Sequence, residues 1–417
     1  MKVLLVNKFF FPAAGAETVA LQTAELLRGA GHEVVPFAMD HPNSLATPWS
    51  KHFAKRREYK AGSLVRRAND GVASVYSFEA RRKLRRLLGE TSPDVAHLHN
   101  VYHQLSLSIV DELKRARVPI VMTLHDYKAV CPNYQLLAPD GLCTRCIGGS
   151  YWNAVAHKCL KGSYAGSAIA AAEAYLNRIR GQYDKVDLFV SPSRFLADVL
   201  GRAGFAPERI VIIPNAMAAE TASSTTRPEP RFVFAGRLSE EKGLHVLLKA
   251  AGLLKSDARI VVCGDGPLRE SVERTVAAVG LPVEVRGFVA PRDVRALLGT
   301  ARALVLPSIW YENCPMSILE AAAQGTPTIG SRLGGIPELV IDRSTGLLVD
   351  HGDPVKLAEA IDELAKNAPF AQRLGGRALK LIAQTHTPSD FLQRTLAAYT
   401  QVGAEAAADR VTAGLLA

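Results

Sequence analysis

Four charged residues in the C-terminal half define the chemistry open to this chain: Arg237, Lys242, Glu312 and Glu320. Arg237 and Lys242 follow an apolar run and are flanked by Gly236 and Gly243. A planar guanidinium and an ammonium aimed at one anion can clamp a diphosphate without a divalent ion. Each charged hydrogen bond to phosphate is worth ~1.5–3 kcal/mol. Glu312 falls between a second apolar run, 303–306, and Pro315, which opens a helical stretch from Met316 to Gln324 that Gly325 stops. A helix N-terminus carries partial positive charge and free N–H groups, so it takes phosphate. Glu312 beside it can accept hydrogen bonds from sugar hydroxyls. Glu320, inside the helix, can hold a ribose diol as acidic residues do in dinucleotide folds. The competing reading makes Glu312 a dipole-stabilising surface acid and Glu320 a solvated helix residue.

Parallel strands are what must position these groups. Apolar runs at 3–6, 94–98, 119–124, 187–191 and 209–213 alternate with helical stretches, and a polar, proline-ended segment, 216–230, then reads as a linker. The alternation restarts at 231–235, 259–263, 283–285, 303–306 and 327–330. In such sheets the ligand crevice lies at the carboxyl ends of the strands. That places Gly15, His99, His125 and Asp126 at the crevice of the first half. It places Gly236, Gly264, Asp265, Gly266, Phe288 and Val289 at that of the second. Gly15 is one glycine where a dinucleotide fingerprint needs three, so the first loop reads as one that admits a ligand held by the other half. The expected boundaries are 1–215, 231–385, a helix at 386–402 packing back on the N-terminal domain, and a tail at 403–417.

Hydrophobic content of 48% and charged content of 22% fit a globular protein, and no apolar run reaches the length of a membrane helix. Met1 to Asn7 turns polar too soon for a signal peptide, so a cytoplasmic location is expected. The net charge of +10 concentrates in residues 51–86, where twelve Lys or Arg face three acidic residues. The segment carries few aromatics and no nucleic-acid module, which argues against nucleic acid. From Val72 to Leu88 it has the pattern of a basic amphipathic helix. Two readings remain: a dock on an anionic membrane at its inner face, or a solvated surface.

Four of the six cysteines, Cys131, Cys143, Cys146 and Cys159, follow closely on the His125-Asp126 strand end. A CxxC with two flanking cysteines can bind structural zinc or an iron–sulfur cluster. The alternative is a set of reduced thiols shaping a loop.

Taken together, these motifs resemble the retaining nucleotide-sugar glycosyltransferases of family four, over nearly the whole chain. The residues that carry the likeness are Phe234-Ala235-Gly236-Arg237 with Lys242-Gly243, Gly264-Asp265-Gly266-Pro267, Glu312 with Glu320, Gly334-Gly335-Ile336-Pro337-Glu338 and Thr345-Gly346. Pro12 to Glu17, His99 and His125-Asp126 add to it; Ala14-Gly15 departs from the two glycines frequent in the family. The resemblance implies the GT-B fold: two Rossmann-like, doubly wound parallel-sheet α/β domains facing a central cleft. It implies that Arg237 and Lys242 hold the donor diphosphate and that Glu312 bonds the donor sugar. Backbone N–H groups around Asn313, Cys314, Pro315 and Met316 would assist, and Glu320 would hold the ribose. Gly264 to Gly266 would line the nucleotide pocket, with Phe288 and Val289 near the base. Gly15, His99 and Asp126 fall on the acceptor side, and His125 lies near the transferred sugar. It also implies transfer of a hexose with retention, no metal cofactor in catalysis, and a glycan or lipid-linked acceptor in envelope or exopolysaccharide synthesis. A phosphorylase or epimerase of this fold, or a non-catalytic nucleotide-sugar sensor, are the alternatives.

Overall fold

The protein is described here by a computed structural model that covers residues 1–56, 75–102, 105–218 and 230–404. Most of the 216–230 linker, the centre of the 51–86 basic segment and most of the tail lie outside the described residues. The chain divides into two units, Met1–Pro214 with Phe391–Ala417, and Asn215–Asp390.

In the first unit six parallel strands line up as β2-β1-β3-β4-β7-β8. They are β1 (Lys2–Val6), β2 (Glu33–Phe37), β3 (Val95–Leu98), β4 (Ile120–Thr123), β7 (Leu188–Ser191) and β8 (Ile210–Ile212). The four central strands are buried almost throughout, as expected of strands covered by helices on both faces. The order doubles back between β1 and β3, so the switch-point crevice lies beyond Val6 and Leu98. A short antiparallel hairpin, β5 (Leu137–Ala138) and β6 (Gly141–Leu142), sits in the cysteine loop. The last helix, Pro388–Gln401, belongs to this unit from Phe391 on, and its Tyr399 is fully buried.

The second unit repeats the plan, with β9 (Arg231–Ala235), β10 (Arg259–Cys263), β11 (Val283–Gly287), β12 (Ala303–Leu306), β13 (Thr328–Ser331) and β14 (Gly346–Val349) in the order β11-β10-β9-β12-β13-β14. Here the reversal falls between β9 and β12. One face packs Phe232, Phe234, Ile260, Val262 and Val305 against the Leu244–Ala251 and Pro354–Lys366 helices. The other packs Val233, Val261, Leu304 and Leu306 against the Met316–Ala323 helix. The edge strand β11 alternates partly buried with exposed residues, because only its inner face has a partner layer.

The basic segment differs from its sequence reading. A helix runs from Phe78 to Thr91, where the Ser77 hydroxyl caps it by accepting the Ala80 N–H at 3.1 Å, and Val72 lies outside the described residues. Its apolar face, Ala80, Leu84, Leu87 and Leu88, is buried inside the unit. Arg81 and Arg85 pair with the buried carboxylate of Glu112, and Lys83 donates to the Phe53 carbonyl. Arg82 and Arg86 are exposed, as is Arg85 despite its pairing. Apart from Phe78 at its first position, the large apolar side chains of this helix are turned inward.

Candidate active site

In the second unit the chain leaves β9 through Gly236, turns at Ser239–Lys242, and enters a helix at Leu244. Gly243 makes that turn possible. It has φ +71°, and a Cβ there would lie 1.9 Å from the Pro307 carbonyl oxygen. The turn is thus pressed against the segment leaving β12, and the Ile309 N–H bonds the Glu241 carbonyl at 3.0 Å. This contact delivers Lys242 to Glu312: Nζ and Oε1 are 2.7 Å apart. Ser308 Oγ donates to the same oxygen at 2.6 Å. Glu312 is 3% exposed, and the Lys242 ammonium also lies 5.2 Å from the centre of the Trp310 ring. A cation, a carboxylate and a hydroxyl therefore meet at the switch point between β9 and β12.

The loop from Glu312 is clamped from both sides. Its carbonyl accepts the Gly335 N–H at 2.7 Å, and the Asn215 side chain donates to the Cys314 carbonyl at 3.1 Å. Asn313 is buried, and Pro315 caps the Met316–Ala323 helix in extended conformation. Since proline has no N–H, the backbone donors here belong to Asn313, Cys314 and Met316. Glu320 is half-buried in the second turn of that helix. Burial of Cys314 pushes its thiol up to about 12, so it stays protonated.

Beyond β10 the chain is folded hard against β9's exit. Gly264 has φ +146°, and a Cβ on it would lie 1.8 Å from the Gly236 carbonyl oxygen. The Leu238 N–H bonds the Asp265 carbonyl, and the Leu268 N–H bonds the Leu238 carbonyl, each at 3.0 Å. Gly264, Asp265 and Gly266 thus stack directly on Gly236 and Leu238. Arg237 is exposed at this exit. Phe288, after β11, is 75% exposed, with Val289 half-buried behind it. An aromatic face left so open suits a planar ligand.

In the first unit three histidine rings stack in a column. His97 and His99 are 4.3 Å apart by ring centres, and His99 and His125 are 5.2 Å apart. His99 Nδ1 and His125 Nε2 are within hydrogen-bond distance at 3.0 Å. His97 is tied at one nitrogen to the Tyr399 hydroxyl and at the other to Thr123 Oγ1, both at 2.7 Å. Burial lowers His97 to about 3, helped by the charge of His125, and His125 to about 3, helped by Lys8; His99 is held well below its usual value. All three are neutral at physiological pH. Among the described residues His99 Nε2 has no hydrogen-bond partner. Asp126, raised by burial, accepts the Lys128 N–H at 2.9 Å.

Gly15 opens the Gly15–Gly29 helix at an exposed position, and Glu17 two residues on is buried, 3.5 Å from Lys8 Nζ. Sequence reasoning passed over Lys8, Ser308 and Trp310. Lys8 sits at the switch-point end of β1, and its position there was the available signal. Ser308 and Trp310 lie inside a stretch already singled out, but nothing in their spacing marks them. The four cysteines gather in the loop after β4, and among the described residues no three His, Cys, Asp or Glu side chains already form a metal-holding group.

Comparison with known proteins fits this geometry. Residues 13–220 match the family described as Glycosyltransferase Family 4, and residues 219–381 match Glycosyl transferases group 1. The chain is 36% identical over 160 residues to the D-inositol 3-phosphate glycosyltransferase of Corynebacterium diphtheriae, covering 35% of this chain and 37% of that one. It is 30% identical over 204 residues to the alpha-maltose-1-phosphate synthase of Mycolicibacterium smegmatis, covering 46% and 52%. The match thus spans about half or less of these relatives. Among solved structures, Anabaena HepE in complex with UDP-glucose superposes with a TM-score of 0.68 at 18% identity, over 95% of this chain and 99% of that one. Sucrose-phosphate synthase from Thermosynechococcus elongatus gives 0.71 at 19%, over 97% and 99%. These likenesses establish the fold.

Proposed function

The chain belongs to the family 4 glycosyltransferases of GT-B fold, and on that premise we propose that it is a retaining hexosyltransferase drawing on a nucleoside diphosphate sugar. The observation that carries this reading is the meeting of Lys242, Glu312 and Ser308 at the β9/β12 switch point, beside the start of the Met316 helix. Arg237 and Lys242 neutralise the diphosphate, taking the part a divalent ion plays elsewhere. Glu312, held by Ser308, keeps acceptor capacity for sugar hydroxyls, and the N–H groups of Asn313, Cys314 and Met316 face the same ligand. Glu320 takes the ribose, Gly264 to Gly266 line the nucleotide, and Phe288 with Val289 supports the base. On the acceptor side stand Gly15, His99 and Asp126.

His125 supports retention by elimination of one role. A neutral imidazole near pKa 3 cannot donate a proton as an acid at neutral pH and is a weak base. It serves as a hydrogen-bonding partner of the transferred sugar. The acceptor hydroxyl then attacks from the face the leaving group vacates, and a leaving phosphate oxygen takes its proton. No second carboxylate is needed to hold a glycosyl intermediate.

The acceptor we propose is a lipid-linked or polysaccharide precursor at an anionic membrane surface. Among the described residues no helix is long and apolar enough to cross a membrane. The Tyr164–Ile179 helix, however, turns Tyr164, Ile169, Tyr175 and Ile179 outward, the last 81% exposed. Trp152 and Phe78 are exposed as well. Apolar side chains outward on a protein of net charge +10 fit interfacial attachment.

The test is product analysis. Uridine diphosphate sugars come first, because HepE carries one. With a lipid diphosphate acceptor we expect nucleotide release coupled to an α-linked product from an α-linked donor, by NMR. A β-linked product ends the retaining assignment. Donor binding without turnover across an acceptor panel indicates a sensor, and turnover dependent on inorganic phosphate indicates a phosphorylase.

A further inference from the structure

The loop after His125-Asp126 holds a feature that sugar transfer does not use. Cys131, Cys143, Cys146 and Cys159 line one small cavity of about 10 Å³, whose wall is completed by Asn133, Leu136, Leu137, Asn153 and Ala154. That is room for a single water-sized atom.

The backbone is built around these sulfurs. The β5–β6 hairpin returns the chain so that the Cys143 N–H bonds the Leu136 carbonyl at 2.8 Å. Tight turns follow, from Ile147 N–H to Thr144 and from Gly149 N–H to Cys146, each at 3.0 Å. Tyr134 and Leu136 take left-handed conformations, at φ +59° and +51°, which only a few per cent of non-glycine residues do. The turn is tied to one sulfur: Asn133 Oδ1 accepts the Cys131 thiol at 2.8 Å and the Gln135 N–H at 3.2 Å. Backbone strain of this kind persists where the surroundings over-determine it.

We propose that Cys131, Cys143, Cys146 and Cys159 form a tetrathiolate site for one zinc ion, which clamps the loop adjoining His125 and Asp126. The cavity as it stands has room for one ion, and the test separates zinc from an iron–sulfur cluster. On binding, four S–H bonds break, four Zn–S bonds form, and the protons pass to solvent. The site then carries excess negative charge. Arg145, whose guanidinium nitrogen lies 3.8 Å from the Cys143 sulfur, offsets part of it. The thiol of Cys131 now donates to Asn133 Oδ1 at 2.8 Å, so capture of the ion requires this sulfur to lose its proton and turn inward. Among the described residues no three such side chains stand in a metal-holding group, so sulfurs besides Cys131 must also turn inward on capture.

The test uses the full chain purified under reducing, anaerobic conditions and does not depend on transferase activity. Elemental analysis should find about one zinc per chain. Cobalt replacement should give the sulfur-to-metal charge-transfer band of a four-thiolate tetrahedral site. Native alkylation read by mass spectrometry should show the four loop thiols protected by zinc and released by chelator, with Cys263 and Cys314 as internal references. Cys146→Ser should abolish zinc retention; should it fail to fold, the cobalt and alkylation results on the unaltered chain decide. The proposal is overturned by less than about 0.1 zinc per chain after zinc loading, by loop thiols that react alike with and without zinc, by a loop disulfide, or by iron with acid-labile sulfide.

Discussion

Substituting Lys242 by Met separates the two things this residue does. Its ammonium is 2.7 Å from Glu312 and its side chain is 19% exposed, while Glu312 is 3% exposed. Removing the cation leaves a buried carboxylate with Ser308 among its remaining donors. Breaking a well-buried pair costs ~3–5 kcal/mol. Lys242 is partly wet and Ser308 remains, so the lower end, ~3 kcal/mol, is expected in urea denaturation. If Lys242 also holds the diphosphate, a charged contact of ~1.5–3 kcal/mol is lost from the transition state, or ~10- to 150-fold in kcat/KM. Glu312→Gln keeps the shape and the Ser308 bond but removes the charge. The double variant is the decisive one. If each residue touches the donor, the losses in kcat/KM should approach additivity, while the stability losses should fall short of it, since the orphaned charge is gone. The reasoning fails if Lys242→Met keeps kcat/KM within about threefold of the unaltered enzyme, or if nucleoside diphosphate raises its Tm as much as before.

Three further outcomes follow from the same coordinates. Gly264→Ala should unfold the second unit or cost several kcal/mol in denaturation, because its Cβ meets the Gly236 carbonyl oxygen at φ +146°; Gly280→Ala, at φ +68° in open space, should cost only ~1 kcal/mol. The buried histidines make stability fall in acid. The folded-state values of His97 and His125 lie near 3 against 6.5 unfolded, so the unfolded chain binds more protons between those values. Unfolding free energy should be flat above pH ~7 and drop below 6.5 by up to ~1.4 kcal/mol per pH unit for each such histidine. His97→Gln should shallow that slope in urea titrations at pH 7 and 5, and an unchanged slope would remove His97 from the account. In flotation with anionic vesicles, Ile169→Glu with Ile179→Glu should abolish binding, whereas reversing Arg81 and Arg85 should chiefly destabilise the fold through Glu112; equal vesicle binding by the isoleucine variant would remove the helix from the membrane account.

What could be read from sequence was whatever repeats along the chain. The two runs of buried parallel strands, the glycines at their ends and the charged residues just beyond them all fall at the expected places, because a strand covered on both faces must be apolar throughout and a switch point must lie at strand ends. What could not be read was who meets whom across strands. Lys242 and Glu312 are seventy positions apart, and only the order β9 next to β12 brings them together. The sequence assigned them to different parts of a ligand, while the fold joins them to each other. The basic helix misled for a related reason. Its period of apolar residues is real, but period alone does not say whether the apolar face is covered, and Glu112, on another helix, turns Arg81 and Arg85 from free charges into structural ones.

The same logic exposes a surface that composition concealed. The Tyr164–Ile179 helix is rich in alanine, and its few large residues look too sparse to form a face. Their spacing nonetheless sets Tyr164, Ile169, Tyr175 and Ile179 outward, while Ser167, Glu173 and Asn177 are buried. Ala170 and Ala171 are buried with them and Arg178 is exposed, so the helix is inverted in part relative to an ordinary surface helix. Part of the inversion has an internal cause, since Glu173 is drawn in by Lys128 at 2.8 Å, both nearly without exposure. On the outward side the Tyr175 hydroxyl accepts the Trp152 N–H at 3.2 Å and the Lys158 ammonium lies 4.5 Å from the Tyr164 ring centre, which leaves Ile169 and Ile179 as the exposed apolar pair. Exposed isoleucine and tyrosine persist on a surface when something apolar covers them in use. The lipid acceptor proposed for this enzyme supplies such a cover, and the isoleucine variant measures it.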